Sequence, residues 1–124
     1  MEYAFKKENP DVSKRLSEST KIREKYNDRV PVICEKDPKS KIGTIDKTKY
    51  LVPDDLTVTQ FSFIIRKKLE LDKSKALFLL IASKHSPTGE SLMSDVYAQY
   101  KDQEDGFLYI TYTGEETWGF SKAL

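Results

Sequence analysis

Two kinds of apolar spacing alternate along the chain, and each predicts a different element. Val12, Leu16, Ile22 and Tyr26 recur near one side of a helix opening at Asp11 after Pro10, with Lys14, Arg15, Lys21 and Arg23 largely elsewhere. A shorter helical stretch at residues 4–8 precedes it. Val30-Pro31-Val32-Ile33-Cys34-Glu35 is β-branched and apolar, which predicts a strand. Turn residues follow at Asp37-Pro38 and Ile42-Gly43, and Lys49-Tyr50-Leu51-Val52-Pro53 reads as a second strand across a long hairpin loop. Thr57-Val58-Thr59-Gln60 has the spacing of a capping box, in which side chain and backbone satisfy each other's orphan groups. The helix it opens carries Val58, Phe61, Ile64, Ile65 and Leu69 as an apolar stripe and closes on Arg66-Lys67-Lys68, a cationic last turn that suits the helix dipole. Leu77-Phe78-Leu79-Leu80-Ile81 reads as a buried strand from its unbroken apolarity. Leu92, Met93, Val96, Tyr97 and Tyr100 predict a short helix with Ser91 as its cap, and Phe107-Leu108-Tyr109-Ile110-Thr111-Tyr112 the last strand.

The order is therefore helix, helix, strand, strand, helix, strand, helix, strand. That is an α+β arrangement, and its last six elements are the signature of a ubiquitin-like β-grasp roll: a four-stranded mixed sheet curling over one central helix. Two additional N-terminal helices distinguish this chain. The last strand reaches the sheet centre only by a long crossover, which would set residues 107–112 beside residues 30–35. No repeat or Gly/Ser linker interrupts the pattern. The expected organisation is an N-terminal helical extension over residues 1–28, a ubiquitin-like domain over 29–113, and a C-terminal tail over 114–124.

Composition narrows the function. The 124 residues carry 21 Lys and Arg against 20 Asp and Glu, a balance that argues against a wholesale nucleic-acid binder. The charge is unevenly placed, with 13 basic and 9 acidic side chains in residues 1–50 and the reverse bias beyond. A basic front of this kind suits acidic partners. Cys34 stands alone, so no internal disulfide or cysteine zinc cluster is expected, and a reducing compartment is the natural setting. The longest apolar run, residues 76–82, is seven residues, whereas a bilayer span needs about twenty. A cytosolic or nuclear protein is expected, with any membrane attachment added to the fold from outside.

Catalytic signals are weak. Cys34 and His85 are the sole thiol and imidazole, but Cys34 sits in an apolar strand, where a cysteine is usually a small buried hydrophobe. No glycine-rich phosphate loop is present, one histidine anchors no metal, and the acid pairs Asp54-Asp55 and Glu115-Glu116 read as solvated turns. Neither enzyme activity, cofactor nor metal is expected.

Two segments carry more. The strand around Lys47-Thr48-Lys49-Tyr50-Leu51-Val52-Pro53 lies at a sheet border, and two readings of it stand. Lysines and proline guard a border against aggregation. Alternatively, large apolar residues on both faces of such a strand suit β-augmentation, in which a guest peptide adds as a further strand and its alternate side chains enter pockets. The second segment is Thr117-Trp118-Gly119-Phe120 after the last strand. A frayed terminus is the ordinary reading. A glycine, lacking Cβ, also lets a catalyst approach its carbonyl in a narrow cleft.

Taken together, these residues resemble the autophagy ubiquitin-like modifiers, the family of the GABA-receptor-associated and microtubule-associated light-chain-three proteins. The resemblance runs through Gly119 and rests on Lys21-Ile22-Arg23-Glu24-Lys25-Tyr26, Asp28-Arg29-Val30-Pro31-Val32-Ile33, Ile45-Asp46-Lys47, the segment from Lys49-Tyr50-Leu51-Val52-Pro53 through Asp54-Asp55-Leu56-Thr57-Val58, and Phe107-Leu108-Tyr109-Ile110. It implies that a dedicated cysteine protease trims the chain after Gly119, removing residues 120–124. Activating and conjugating enzymes would then join Gly119 to phosphatidylethanolamine, a two-chain lipid that anchors stably where one chain binds marginally. The protein would move from the cytoplasm to the autophagosome membrane. The resemblance also implies that aromatic-x-x-aliphatic motifs of cargo receptors and adaptors pair along the Lys49 strand. Their aromatic side chain would enter a pocket of Glu18, Ile22, Pro31, Ile33, Lys49, Leu51 and Phe107. Their aliphatic one would enter a pocket of Tyr50, Val52, Pro53, Leu56, Phe61 and Ile64, with Lys47, Lys49 and Arg29 attracting acidic flanks.

The chain departs from the family pattern at Trp118, where Phe or Tyr is usual, at Lys68 for a common arginine and at Asn27 for a common proline; the loop at residues 83–91 is about one residue longer. Trp118 puts a larger ring beside the expected cleavage site. Two other classes compete with the modifier reading: an unconjugated trafficking scaffold that uses the groove alone, and a tubulin- or RNA-associating module built on the basic front helices.

Overall fold

The computed structural model describes residues 2–114. Helix α1 (Ala4–Glu8) and helix α2 (Val12–Lys25) come first, followed by strands β1 (Arg29–Lys36) and β2 (Lys49–Pro53), helix α3 (Val58–Leu69), strand β3 (Phe78–Ile81), helix α4 (Met93–Tyr100) and strand β4 (Leu108–Thr113). The strands form one sheet in the order β2-β1-β4-β3. β1 and β4 run parallel at its centre, Val32 opposite Leu108, and each pairs antiparallel with a border strand. This is the crossover expected from the order of elements, and the mixed four-stranded ubiquitin-like roll is the observed fold.

Strand alternation divides the sheet into two faces. Val30, Val32 and Cys34 of β1, with Leu108, Ile110 and Tyr112 of β4, meet Val58, Phe61 and Ile65 of α3 in the main core. Ile33, Phe107 and Tyr109 look to the other face and pack with Tyr3 and Phe5 from the α1 segment, Ile22 of α2 lying against them. β1 and β4 are covered on both faces, which explains their unbroken apolar runs.

Local signals act where the sequence places them. Thr57 Oγ1 accepts from the Gln60 amide at 3.1 Å, and Gln60 Oε1 accepts from the Thr57 amide at 2.9 Å, completing the capping box. Asp11 caps α2, its carboxylate accepting from the Ser13 amide at 3.0 Å.

Two expectations are corrected. The cap of α4 is Leu92, which supplies no side-chain bond; the Ser91 hydroxyl meets the Thr88 hydroxyl at 2.8 Å, and the Ser91 carbonyl accepts the α3 amide of Val58. Secondly, the apolar stripe expected along α2 divides: Ile22 packs against the second cluster and Tyr26 is half-buried, whereas Val12 and Leu16 are 38% and 46% exposed. The buried residues of α2 are Arg15 and Ser19. Arg15 Nε donates to Asp105 Oδ2 at 2.8 Å, with both side chains almost wholly buried, and the Ser19 hydroxyl donates to the Asp105 carbonyl. Asp105 also accepts from the Tyr109 hydroxyl at 2.5 Å and the Phe107 amide at 2.9 Å. Burial, and then the Asp105 carboxylate, hold the Tyr109 hydroxyl far above its usual titration range, so it remains a donor.

Candidate functional site

β2 ends the sheet on one side, and hydrogen-bond phase determines what it offers outward. The Cys34 amide donates to the Thr48 carbonyl at 2.8 Å and the Asp54 amide to the Asp28 carbonyl at 2.9 Å. In an antiparallel ladder bonded pairs recur every second residue, so Tyr50 and Val52 turn their main-chain groups to β1. Lys49 and Leu51 turn theirs to the open side. Pro31 stands opposite Leu51, at a position that donates nothing to β2, so its missing N–H costs the ladder no bond. One outward acceptor is already engaged: Arg29 Nη1 donates to the Leu51 carbonyl at 3.2 Å.

Side chains of β2 alternate independently of that phase. Tyr50 and Val52 are buried toward α3, while Lys49 and Leu51 are half-exposed on the face of α2. On that face the structure brings together the first group read from the sequence. Ile33 and Phe107 are completely buried, Pro31 is buried, and Ile22, Leu51, Lys49 and Glu18 are half-buried around them. Lys49 Nζ pairs with the Glu18 carboxylate, tying β2 to α2 across this cluster.

The second group lies toward α3 and divides into interior and rim. Tyr50, Val52 and Phe61 belong to the main core, the Tyr50 ring standing edge-on to Phe61 at 6.1 Å. Leu56 packs against this core from a half-buried position and donates its amide to the Pro53 carbonyl at 3.2 Å. Pro53, Leu56 and Ile64 are the half-exposed members. Phe63, next to Ile64, is 58% exposed and was not singled out in the sequence. Lys47 Nζ lies 5.5 Å from the Tyr50 ring centroid, and the Tyr50 hydroxyl donates to the Lys47 carbonyl at 2.7 Å. Burial pushes that hydroxyl up to about 12. Each of the three cations expected to attract acidic flanks thus has a contact within the chain: Arg29 with a carbonyl, Lys49 with a carboxylate and Lys47 with a ring.

Sequence reasoning missed two residues beside the first group. The Phe5 ring meets Phe107 edge-on at 5.0 Å, and Lys49 Nζ lies 5.5 Å from its centroid. Phe5 is held by Glu35, whose carboxylate accepts the Ala4 and Phe5 amides at 2.8 and 2.9 Å. The available signal was Glu35 itself, an acidic side chain closing an apolar strand, because a buried carboxylate requires donors.

Cys34 is completely buried in the main core, and burial raises its thiol well above the usual range, so no reactive thiolate is presented. His85 is exposed and stacks on Tyr100 at 4.5 Å. Among the described residues no group of His, Cys, Asp and Glu is arranged to hold a metal ion, and no helix is long and apolar enough to cross a membrane. Gly119 and Trp118 lie outside the described residues.

Comparison with known proteins bears on this geometry. Residues 14–119 match the family described as autophagy protein Atg8, ubiquitin like. Autophagy-related protein 8 of Cochliobolus heterostrophus (strain C5) is 56% identical over 119 residues, covering 96% of this chain and 98% of the relative. Autophagy-related protein 8 of Neurospora crassa is likewise 56% identical over 119 residues, covering 96% of each chain. The crystal structure of Trypanosoma brucei ATG8 superposes with a TM-score of 0.85 at 41% identity, covering 93% of this chain and 97% of that one. The chain belongs to the Atg8 family, the ubiquitin-like modifiers of autophagy.

Proposed function

We propose that this modifier recruits receptors and adaptors by adding their aromatic-x-x-aliphatic segments to β2, and that conjugation at Gly119 carries it to the membrane. The observation that supports the first part is a terminal strand with Lys49 and Leu51 facing outward between two apolar groups. An extended guest finds main-chain partners at those two residues. Its aromatic side chain meets Leu51, Ile22 and the Lys49–Glu18 pair, and its aliphatic one meets Pro53, Leu56 and Ile64. When Arg29 yields the Leu51 carbonyl to the guest, its guanidinium becomes available to an acidic flank.

In this reading the two N-terminal helices and the ubiquitin-like core act together as the binding unit, and residues 114–124 form the processing tail. A cysteine protease trims after Gly119, and activating and conjugating enzymes transfer the new carboxylate to phosphatidylethanolamine. The chain is the substrate of those enzymes, cytoplasmic before conjugation and on the autophagosome afterwards.

Amide hydrogen exchange of the full chain with an acidic-flanked Trp-x-x-Leu peptide tests the groove. Protection is expected to rise at the Lys49 and Leu51 amides. Saturable binding with both amides unchanged would overturn strand addition at β2. Intact-mass analysis of cellular protein tests the tail: loss of residues 120–124 followed by a lipid-sized gain is expected, and Gly119→Ala should abolish both.

A further inference from the structure

The aromatic-side group read from the sequence contains no residue before Glu18, yet its deepest members are covered by the N-terminal arm. Phe107 and Ile33 have no exposed surface, and Phe5, itself 7% exposed, lies edge-on against Phe107. The lining of this site therefore consists of two unlike parts. One is the Lys49–Glu18 pair, with side chains 41% and 37% exposed, a surface ion pair that yields at small cost. The other is Phe5, held from behind by a buried carboxylate.

The holding contacts are specific. Glu35 accepts the Ala4 and Phe5 amides at 2.8 and 2.9 Å, charge-assisted bonds from consecutive main-chain donors. The hydroxyls of Tyr3 and Thr111 lie 2.7 Å apart, and Lys6 Nζ bonds Asp102 at 2.8 Å. These contacts fix the arm on both sides of Phe5. A side chain so placed is a wall that sets depth, whereas the ion pair above it can swing aside.

We propose that Phe5 is a specificity-determining wall of the aromatic subsite and that Glu35 is the positioning residue that sets its depth. The inference rests on the peptide-binding reading and goes beyond it by assigning ring-size preference to the N-terminal arm. Removing the Phe5 ring opens space against Phe107, and space of that size rewards the larger indole over the phenyl and phenol rings. Glu35 acts only through the arm, so weakening its hold moves the preference in the same direction by a smaller amount.

The test titrates full-length protein with three peptides, identical except for Trp, Tyr or Phe at the aromatic position, and a fourth with Val for Leu at the aliphatic position. Phe5→Ala is expected to shift the Trp-over-Phe affinity ratio by about tenfold or more toward Trp, the scale of one methylene in an apolar pocket. Glu35→Gln should shift it less, and the double variant no further than Phe5→Ala alone. The Leu-to-Val ratio should stay constant throughout. Phe5→Leu, which retains apolar volume, serves if Phe5→Ala does not fold, with a smaller shift of the same sign. Equal weakening of all four peptides, or an unchanged Trp-to-Phe ratio, overturns the proposal. A wild-type chain that binds none of the peptides overturns the groove reading itself, a separate outcome.

Discussion

Helices α2 and α3 cover opposite faces of one sheet and are held there by opposite means. α3 buries Val58, Phe61 and Ile65 in the main core, and its contact is apolar and non-directional. α2 buries Arg15 and Ser19, and both reach Asp105. An apolar contact tolerates small shifts, whereas a hydrogen-bonded ion pair holds a helix at one rotation and one height. The difference matters because Glu18 and Ile22 each lie three residues beyond a locked residue, on the helix that borders the proposed aromatic subsite. A directional lock keeps that border in register with β2. α3 supplies the opposite side of the proposed groove through Phe61 and Ile64, where packing alone suffices.

The largest expected effect comes from breaking the lock without changing its shape. Asp105→Asn preserves volume and the acceptor for the Phe107 amide but leaves the Arg15 guanidinium buried without its counter-charge. Loss of one partner of a buried pair costs about 3–5 kcal/mol, to be read as a fall in the denaturant midpoint. Combining it with Arg15→Met should recover much of that loss, because no unpaired charge remains. If the double variant is no more stable than Asp105→Asn, the lock is not the source of the cost.

On the α3 side the same logic gives a different ranking. Ile65→Ala removes fully buried methyl groups and should cost about 2–5 kcal/mol. Ile65→Leu, a volume-conserving change, should cost less than about 1.5 kcal/mol. The comparison is therefore sharpest between two near-isosteric substitutions, severe at Asp105 and mild at Ile65. Equal penalties would mean that the two helices dock alike.

Caps give a smaller contrast that also depends on pH. Thr57→Ala removes one half of the α3 capping box and should cost about 1 kcal/mol, visible as faster exchange of the Gln60 amide. The α2 cap is a carboxylate. The Ser13 hydroxyl first, and then the Lys14 and Ser13 amides, hold Asp11 below the usual carboxylate value. A depressed value in the fold means that this cap contributes fully above the unfolded value and is lost as pH falls through the folded one. Protection of the Ser13 amide, taken relative to its intrinsic exchange rate at each pH, should therefore fall on acidification through that range, while the neutral Thr57 cap shows no matching step.

The same contrast explains what could be read in the sequence. α3 was legible in full, since stripe, capping box and basic last turn are all local patterns. The strands followed from β-branched and apolar runs, and the position of β2 at the border followed from the crossover that the central strand requires; β3, read as buried, is instead the other border strand, with alternate residues half-exposed. The docking side of α2 was not legible. Arg15 and Ser19 look like solvent residues until Asp105, some 90 and 86 residues away, supplies their partner. Phe5 and Glu35 escaped for the same reason, being separated by about 30 residues. Apolar docking leaves a periodic trace in one segment, but polar docking is written in two distant ones.

The smallest expected effect concerns the residues that periodicity chose for α2. Leu16 is 46% exposed, so replacing it with Gln removes little buried surface. Leu and Gln also have similar helix propensity, so Leu16→Gln should change stability by no more than about 1 kcal/mol. Arg15→Gln, one position earlier, provides the matched control, because it exchanges a buried charge for the same amide side chain and leaves the Asp105 carboxylate without its counter-charge. Thermal melts of the two variants should separate clearly, with Leu16→Gln near the wild type. Should Leu16→Gln prove the more damaging, the apolar side of α2 would be its true seat and the polar lock an accessory.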